Sequence, residues 1–263
     1  MRAPELRVRI RRAVQRRAPL RADGRTTALR LVHGPGDGMD GVSVDLFGDV
    51  LVVSLYAELD PGPLVEALAE VCRPRAMYLK RRPRAASRLG PADLRRRAPE
   101  QPAWGSPVDQ VDVLERGLRF RIRPGEGLAV GLYLDMRETR AWVQAHARST
   151  TLLNCFAYTG GFAVAARAGG AASVVNVDLS RRALAWAEEN AALNGQVVQR
   201  GESLAGDVGH WLGRLARSGR SFSTVVLDPP SFSRGPSGAF SVSRDTPRLV
   251  ARAAAVIEPG GHL

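Results

Sequence analysis

Short apolar runs alternate with segments of helical spacing along the second half of the chain. Strands are predicted at 151–156, 173–178, 197–200 and 222–227, and helices at 136–147, 160–168, 180–193, 208–217 and 246–257. Ser180 is the expected N-cap of the third of these helices, and Asn194-Gly195 its end. A regular β-α-β-α alternation predicts a doubly wound, parallel α/β sheet.

The first half of the chain predicts a small α+β unit instead. Strands are expected at 28–32, 42–47, 50–56 and 76–79, and a helix at 62–72; a strand pair at 108–114 and 118–122 follows after the linker. Gly48-Asp49 is a hairpin signal between two of the strands. The arginine- and proline-rich stretch 80–107 predicts a loop or linker. We therefore expect a basic arm over 1–25, an α+β domain over 26–107 and the doubly wound domain over 108–263.

The charge of the chain is unusual, with a formal net charge of +12. Lys80 is the only lysine, so arginine supplies every other basic side chain. Arginine pairs with phosphate through two hydrogen bonds and stacks on bases, which indicates RNA or DNA as a partner. The alternative is a generally basic surface. Residues 1–25 fit either a basic helix or a flexible arm, and 80–97 either a phosphate-binding surface or a solvated linker.

Other classes of protein are disfavoured by what the sequence lacks. No apolar run has the length that a bilayer requires, and no apolar signal-peptide core follows the arginine-rich N-terminus. The two cysteines, Cys72 and Cys155, show neither metal-binding nor redox spacing. We expect a cytoplasmic protein without a metal site.

A candidate substrate site follows the strand at 222–227. The apolar run ends in Asp228-Pro229-Pro230, with Phe232 close behind. Adjacent prolines cannot continue a sheet ladder, so the strand must stop there. Ligands of open α/β sheets bind outside the carboxyl ends of the strands, and an acid with an aromatic ring suits a flat nucleobase. The alternative is an ordinary proline-rich loop.

A candidate cofactor site lies upstream, where the strand at 151–156 runs through Gly160-Gly161 into a helix. The turn lacks the G-x-G-x-x-G pattern, which disfavours NAD and favours a ligand without a pyrophosphate. The next strand ends at Asp178, whose carboxylate suits both hydroxyls of a ribose. Asp178 is alternatively an acid that stabilises a helix N-terminus. Asp207, after the third strand, suits an adenine amine.

Four ordered segments together resemble a known family. They are 33–49 (HGPGDGMDGVSVDLFGD), 131–140 (GLYLDMRETR), 154–162 (NCFAYTGGF) and 228–232 (DPPSF). The chain resembles the class I S-adenosylmethionine-dependent methyltransferases over roughly residues 25–263. Within them it is similar to the bacterial 23S ribosomal RNA cytosine-C5 methyltransferases.

The resemblance implies a Rossmann-like class I methyltransferase sheet, with S-adenosylmethionine as cofactor and ribosomal RNA as partner. It implies that the methionine half of the cofactor is wrapped by Asn154, Phe156, Tyr158, Thr159 and Gly160. Asp178, with Ser180 beside it, is placed on the ribose and Asp207 near the adenine. The methyl group and the base are placed beside Asp228, Pro229 and Pro230, with Phe232 stacking on the base. The residues expected to close the pocket are Tyr133, Asp135 and Arg137.

Arg137 has two further interpretations, since it could hold the cofactor carboxylate or an RNA phosphate. Its alternative is a structural ion pair within the helix.

Two departures from the family's pattern affect the expected mechanism. Family members often begin with a PUA domain, for which residues 1–25 are too few. RNA docking would then fall to the arginine-rich N-terminal segment, the small α+β domain and the 80–97 loop. The sequence stops at Gly260-Gly-His-Leu263, where the family opens its fifth strand, soon followed by the cysteine that attacks cytosine. Cys155 is expected in the core rather than as this nucleophile. The chain is therefore expected to be a fragment, or a protein that has lost its terminal strands.

Three functions stay open from the sequence. They are methylation of cytosine C5, methylation of an exocyclic amine, which needs no cysteine, and RNA binding that retains a cofactor pocket without turnover. A small-molecule methyltransferase is disfavoured by the net charge.

Overall fold

The computed structural model describes residues 3–82, 90–230, 232–235 and 238–263, without the side chains of residues 3, 91, 232–235 and 238–243. The chain forms two compact units, unit 1 (Met1–Leu134) and unit 2 (Asp135–Leu263). The division falls later than the predicted boundary at 107/108. The reason is that Thr27 donates its N–H to the carbonyl of Leu114 at 2.8 Å, which ties the hairpin at 111–122 to unit 1.

Unit 1 begins with helix α1 (Ala3–Arg17), which decides between the two interpretations of the basic N-terminus. Leu6, Ile10 and Ala13 recur at helical spacing and are buried in the core of the unit. Arg11, Arg12 and Arg16 are exposed, whereas Arg17 continues the inner face and pairs with the buried Asp37 at 2.6 Å. The segment is thus a packed helix of unit 1 and not a separate arm.

A five-stranded sheet forms the centre of unit 1, and its strands are adjacent in chain order. They are β1 (Ala28–His33), β2 (Val42–Phe47), β3 (Val50–Leu55), β4 (Ala76–Arg81) and β5 (Trp104–Gly105). Strands β3 and β4 are parallel and are joined by helix α2 (Gly62–Cys72), whereas the other neighbouring pairs are antiparallel. These strands and α2 confirm the predicted α+β pattern.

The prediction of an unstructured 80–107 was wrong at both ends of that stretch. Strand β4 continues through Lys80 to Arg81, and helix α3 covers Pro91–Arg97. Gly90 precedes α3 as its N-cap, and a proline at the first helical position has a backbone suited to starting a helix. Arg84 and Arg88, which belong to the stretch predicted to be a phosphate-binding surface or a linker, lie outside the described residues. A hairpin of β6 (Val111–Glu115) and β7 (Leu118–Ile122) follows.

Unit 2 confirms the predicted parallel α/β sheet. It contains α4 (Arg137–His146), β8 (Thr151–Cys155), α5 (Gly161–Ala168), β9 (Ser173–Asp178), α6 (Arg181–Leu193), β10 (Ser203–Ala205), α7 (Val208–Arg217), β11 (Phe222–Leu227), β12 (Phe232–Gly235), β13 (Gly238–Ser241), α8 (Val242–Ala254) and β14 (Ile257–His262). The sheet order is β10-β9-β8-β11-β14, with every pair parallel. Apolar residues of its strands are buried on both faces, which is typical of a sheet covered by helices.

Three local predictions in unit 2 were wrong. Residues 197–200 form no strand, and Val197 is 72% exposed; the edge strand is β10, which pairs Ser203 with Asn176. The last helix is α8 and ends before Ile257, which instead opens β14. The hairpin of β12 and β13 was not predicted, because its short strands carry little alternation. None of the helices in the described ranges combines the length and apolar character of a membrane span.

Candidate active site at the carboxyl end of the second sheet

Three neighbouring strands of unit 2 end level with one another. Leu227 of β11 is paired with Cys155 of β8, and Cys155 is paired with Val177 of β9. The next residue of each strand therefore reaches the same edge of the sheet: Asp228, Phe156 and Asp178. Neighbouring strands are about 4.8 Å apart, so the Cα atoms of the two acids are separated by about 10 Å.

Asp178 ties two segments of this edge together. Its Oδ2 accepts the N–H of Tyr158 and its Oδ1 accepts the N–H of Ser180, both at 2.8 Å. The cap of α6 is Ser180, whose Oγ accepts the N–H of Ala183 at 3.2 Å. Asp178 is therefore not the helix cap. Each carboxylate oxygen has a further lone pair, so it can still accept a hydroxyl of a ligand.

The loop between β8 and α5 has an unusual backbone. Phe156 and Tyr158 have φ of 58° and 47°, in the left-handed region that non-glycine residues seldom adopt. The N–H of Ala157 donates to the carbonyl of Val177 at 3.0 Å, which helps to hold this conformation. Such strained positions cluster at ligand sites, where the surrounding structure fixes them.

Thr159 and Gly160 are held from behind by α6. The carbonyl of Thr159 accepts the side-chain N–H of Asn190 at 2.9 Å, and both residues are buried. Gly160 has a φ of 74°, and a Cβ there would lie 2.7 Å from the Cβ of Ala187. The glycine is therefore required by close packing of α6 against the start of α5 as well as by its backbone conformation.

Asn154 lies one residue inside the edge, in the buried part of β8. Its Nδ2 donates to Oδ1 of Asn176 on β9 at 2.9 Å, and both side chains are 1% exposed. The two amides sit opposite each other in the register of the strands. Asn176 was not recognised from the sequence, although a second asparagine in an apolar strand was a visible signal.

The acid that follows β11 lies in a charged cluster. Partial burial and then the negative charge of Asp135 raise the pKa of Asp228, and the positive charge of Arg140 lowers it. Arg140 is only 4% exposed. It was missed as a site residue; its signal was an arginine on the same face of α4 as the buried Val143.

The structure describes Pro229 and Pro230, which follow Asp228, but not the side chain of Phe232. Pro229 is half-buried and Pro230 exposed. Phe232 opens β12, and its side chain lies outside the described part of the chain. A stacking role for Phe232 thus stays a prediction.

Three other predicted site residues have these surroundings. The Nε of Arg137 is 3.4 Å from Oε1 of Glu138, as expected of the structural alternative. Tyr133 belongs to unit 1 and is 48% exposed. Asp207 caps α7, with its Oδ1 accepting the N–H of His210 at 2.8 Å.

Neither cysteine has the properties of a nucleophile. Cys155 is fully buried in the core of unit 2, as predicted, and burial raises the pKa of its thiol to about 12. Burial also raises the pKa of Cys72 to about 11, although Arg21 acts in the opposite direction. Nucleophilic cysteines instead have depressed pKa values.

The arrangement suits a nucleoside ligand that carries a positive charge. The carboxylate of Asp178 has acceptor capacity left at one end of the edge, and at the other end Asp228 lies near the charges of Asp135 and Arg140. Acids at both ends would repel a pyrophosphate, in agreement with the missing G-x-G-x-x-G pattern. The sulfonium of S-adenosylmethionine is a cation on an adenosine, so the residues present fit this group. The fold and the site define a Rossmann-like nucleoside-binding protein.

Comparison with known proteins makes this class specific. Residues 29–263 match the family of S-adenosylmethionine-dependent methyltransferases, and the chain belongs to that family.

Two curated relatives share the name ribosomal RNA large subunit methyltransferase I. The protein from Pseudoalteromonas translucida is 30% identical over 97% of this chain and 64% of its own length. The protein from Salmonella paratyphi B is 32% identical over 97% of this chain and 63% of its own length. The chain thus spans somewhat less than two thirds of these relatives.

A solved structure of a protein described as a methyltransferase, in complex with SAH, superimposes with a TM-score of 0.89. It is 26% identical and covers 99% of this chain and 66% of its own length.

Proposed function

We propose that the chain transfers the methyl group of S-adenosylmethionine to a cytosine of large-subunit ribosomal RNA. The observation that carries this proposal is the common edge formed by Asp178, Phe156 and Asp228. It offers a ribose acceptor at one end and, about two strand spacings away, an acid followed by two prolines. The name of the curated relatives supports ribosomal RNA as the substrate.

Asp228 is proposed to hold the base. A carboxylate accepts the exocyclic N4–H of cytosine, which fixes the base in its plane. The rigid Pro229-Pro230 turn positions this carboxylate, and Phe232 is proposed to stack on the ring. Methyl transfer is an in-line displacement at a sulfonium, so orientation of the two reactants supplies most of the rate.

Cofactor contacts follow from the same edge. We propose Asp178 and Ser180 at the ribose and Asp207 near the adenine. The loop of Phe156, Tyr158, Thr159 and Gly160 would lie along the methionine half, with Asn154 supporting it from within the sheet. Asp135 and Arg137 are proposed to close the site.

The target atom is proposed to be C5, by the resemblance of the four sequence segments. This reaction needs a thiolate that adds to C6 of the ring and makes C5 nucleophilic. Since neither Cys72 nor Cys155 fits, the thiolate would come from outside these 263 residues. A second candidate is methylation of an exocyclic amine, for which Asp228 would accept the amine N–H. This candidate is favoured by the unsuitability of Cys72 and Cys155 as nucleophiles, because the reaction requires no thiol. We place either activity in the cytoplasm.

The proposal is tested in two steps. Calorimetric titration with S-adenosylhomocysteine should give micromolar binding. The chain is then incubated with ribosomal RNA and S-adenosylmethionine, and the nucleosides are separated by mass spectrometry, which distinguishes 5-methylcytosine from N-methylated bases.

Asp228→Ala, which removes the acceptor that positions the base, should lower methyl transfer by about 100-fold or more. The exposed Asp109→Ala should leave methyl transfer unchanged. Binding of the cofactor without modification of any RNA would leave the RNA-binding module as the function of this chain.

A further inference from the structure

Unit 1 contains a cavity of its own, with a volume of about 240 Å³. Its polar lining consists of Tyr56, Glu58, Arg81, Arg82 and Arg97. All of these residues belong to unit 1, so the cavity is distinct from the edge of the second sheet. Nothing in the methyl-transfer chemistry assigns a role to it.

The cavity lies where the two parallel strands of unit 1 end. Leu55 of β3 is paired with Arg81 of β4, and the N–H of Arg82 donates to the carbonyl of Leu55 at 2.7 Å. The carboxyl ends of parallel strands are the usual place for ligands of α/β sheets. Here the β3-α2-β4 crossover creates such an edge within an otherwise antiparallel sheet.

The lining carries three guanidinium groups against one carboxylate. The Nη1 of Arg81 is 4.0 Å from Oε2 of Glu58, whose side chain is 94% exposed, so this contact is weak. Arg82 is oriented by a hydrogen bond from its Nε to Oγ of Ser54, at 3.2 Å.

The buried Nε of Arg97 has no hydrogen-bond partner among the described residues. Buried polar groups are normally paired, and arginine pairs with phosphate through two hydrogen bonds. A phosphate oxygen in the cavity would supply an acceptor for this group.

Tyr56 adds a second kind of recognition to the same cavity. Its ring is 55% exposed at the end of β3, beside the arginines. Exposed aromatic rings next to basic grooves bind the bases of single-stranded nucleic acids by stacking. The volume is below that of pockets that enclose a drug-sized ligand, so it suits one phosphate group while the base stays outside.

We propose that this cavity binds a phosphate of single-stranded RNA, through Arg81, Arg82 and Arg97, with the neighbouring base stacked on Tyr56. The inference rests on the proposed function in that RNA is the substrate named there.

The test uses the whole chain and a fluorescent single-stranded RNA of mixed sequence, with affinity measured by anisotropy at several salt concentrations. Arg81→Gln with Arg97→Gln should weaken binding about tenfold or more. Because the cavity is proposed to hold one phosphate, the slope of log K against log salt should become less steep by about 0.7. Tyr56→Ala should weaken binding about tenfold with little change in slope.

A matched control carries the same loss of charge elsewhere. Arg12→Gln with Arg148→Gln removes two exposed arginines that do not line the cavity. An equal loss of RNA affinity in this control would overturn the proposal, because the basic surface as a whole would then bind the RNA. The absence of RNA binding by the wild type would overturn it as well. Inorganic phosphate bound at Arg81 and Arg97 without any effect of these variants on RNA would also overturn it, in favour of a small-anion site.

Titration of the same variants with S-adenosylhomocysteine separates this proposal from the proposed function. Unchanged cofactor affinity with reduced RNA affinity supports the cavity. If the wild-type chain does not bind S-adenosylhomocysteine, the proposed function is contradicted. The effect of the cavity variants on RNA affinity then still supports or overturns the cavity proposal by itself.

Discussion

The backbone N–H of Tyr158 donates to Oδ2 of Asp178 at 2.8 Å, and this bond joins the loop after β8 to the end of β9. Tyr158 has a left-handed backbone, so the bond helps to hold a conformation that the residue would not adopt by itself. The acid proposed for the ribose thus also shapes the loop proposed for the methionine half.

Asp178→Ala should remove the proposed ribose contact and the hydrogen bond that holds the loop of Tyr158. We expect the affinity for S-adenosylhomocysteine, measured by calorimetry, to fall by about tenfold or more, because the ribose acceptor and the anchor of the loop are lost. Asp178→Asn keeps an oxygen acceptor and should lose less. If the alanine variant is folded by circular dichroism and binds normally, the cofactor does not use this acid.

Asn154 and Asn176 should behave as a coupled pair. Asn154→Leu alone should destabilise the chain by about 1–3 kcal/mol in urea unfolding, since it leaves the buried amide of Asn176 without its partner. The double leucine variant should be more stable than the sum of the single changes predicts. Additive effects would show that the bond contributes nothing. Cofactor titration of the double variant reports separately on the proposed supporting role of Asn154.

The cysteines should be dispensable. Cys72→Ser with Cys155→Ala should leave both cofactor affinity and any methyl transfer within about twofold of wild type, because burial holds both thiols protonated. The native chain should also resist iodoacetamide at pH 8. Loss of methyl transfer with retained cofactor binding would instead identify one of these thiols as the nucleophile.

Lys80 should destabilise unit 1. The side chain is fully buried, its Nζ has no hydrogen-bond partner in the described residues, and burial, followed by repulsion from Arg82, lowers its pKa to about 8. Below pH 8 the native state carries the full cost of protonating the buried amine, on the order of 3 kcal/mol. Lys80→Met should therefore raise the free energy of unfolding at pH 7.

The sign of the pH dependence gives a second readout for Lys80. Between about pH 8 and 10.5 the unfolded chain binds a proton that the native chain does not, so wild-type stability rises with pH from this group. The advantage of Lys80→Met should shrink over that range. Lys80→Arg, which keeps its charge throughout, should be less stable than wild type at every pH. A methionine variant weaker than wild type at pH 7 would mean that the ammonium is stabilised in the fold.

The parallel sheet could be predicted because its signals are local. Ser173–Asp178 and Val208–Arg217 have the predicted bounds, because their apolar periodicity is read within a few residues. The bounds of α6 agree to within one residue, because Ser180 and Asn194-Gly195 mark its two ends. The positions of Asp178 and Asp228 at one edge also follow from the alternation, because parallel strands end on the same side. The 91–97 helix was missed because its arginines and prolines resemble a linker when tertiary packing is not considered.

The sequence by itself determined the class of fold, the end of the sheet that we propose as the ligand site and the acids available there. Only the tertiary structure decided what each side chain contacts. Arg140 lies in the cluster of Asp228, and Asn154 is paired with Asn176. Lys80 is buried with its Nζ 5.7 Å from the centre of the Tyr78 ring and without a hydrogen-bond partner among the described residues. These relationships depend on the register between strands and on burial by distant segments, and neither is encoded by periodicity within one segment.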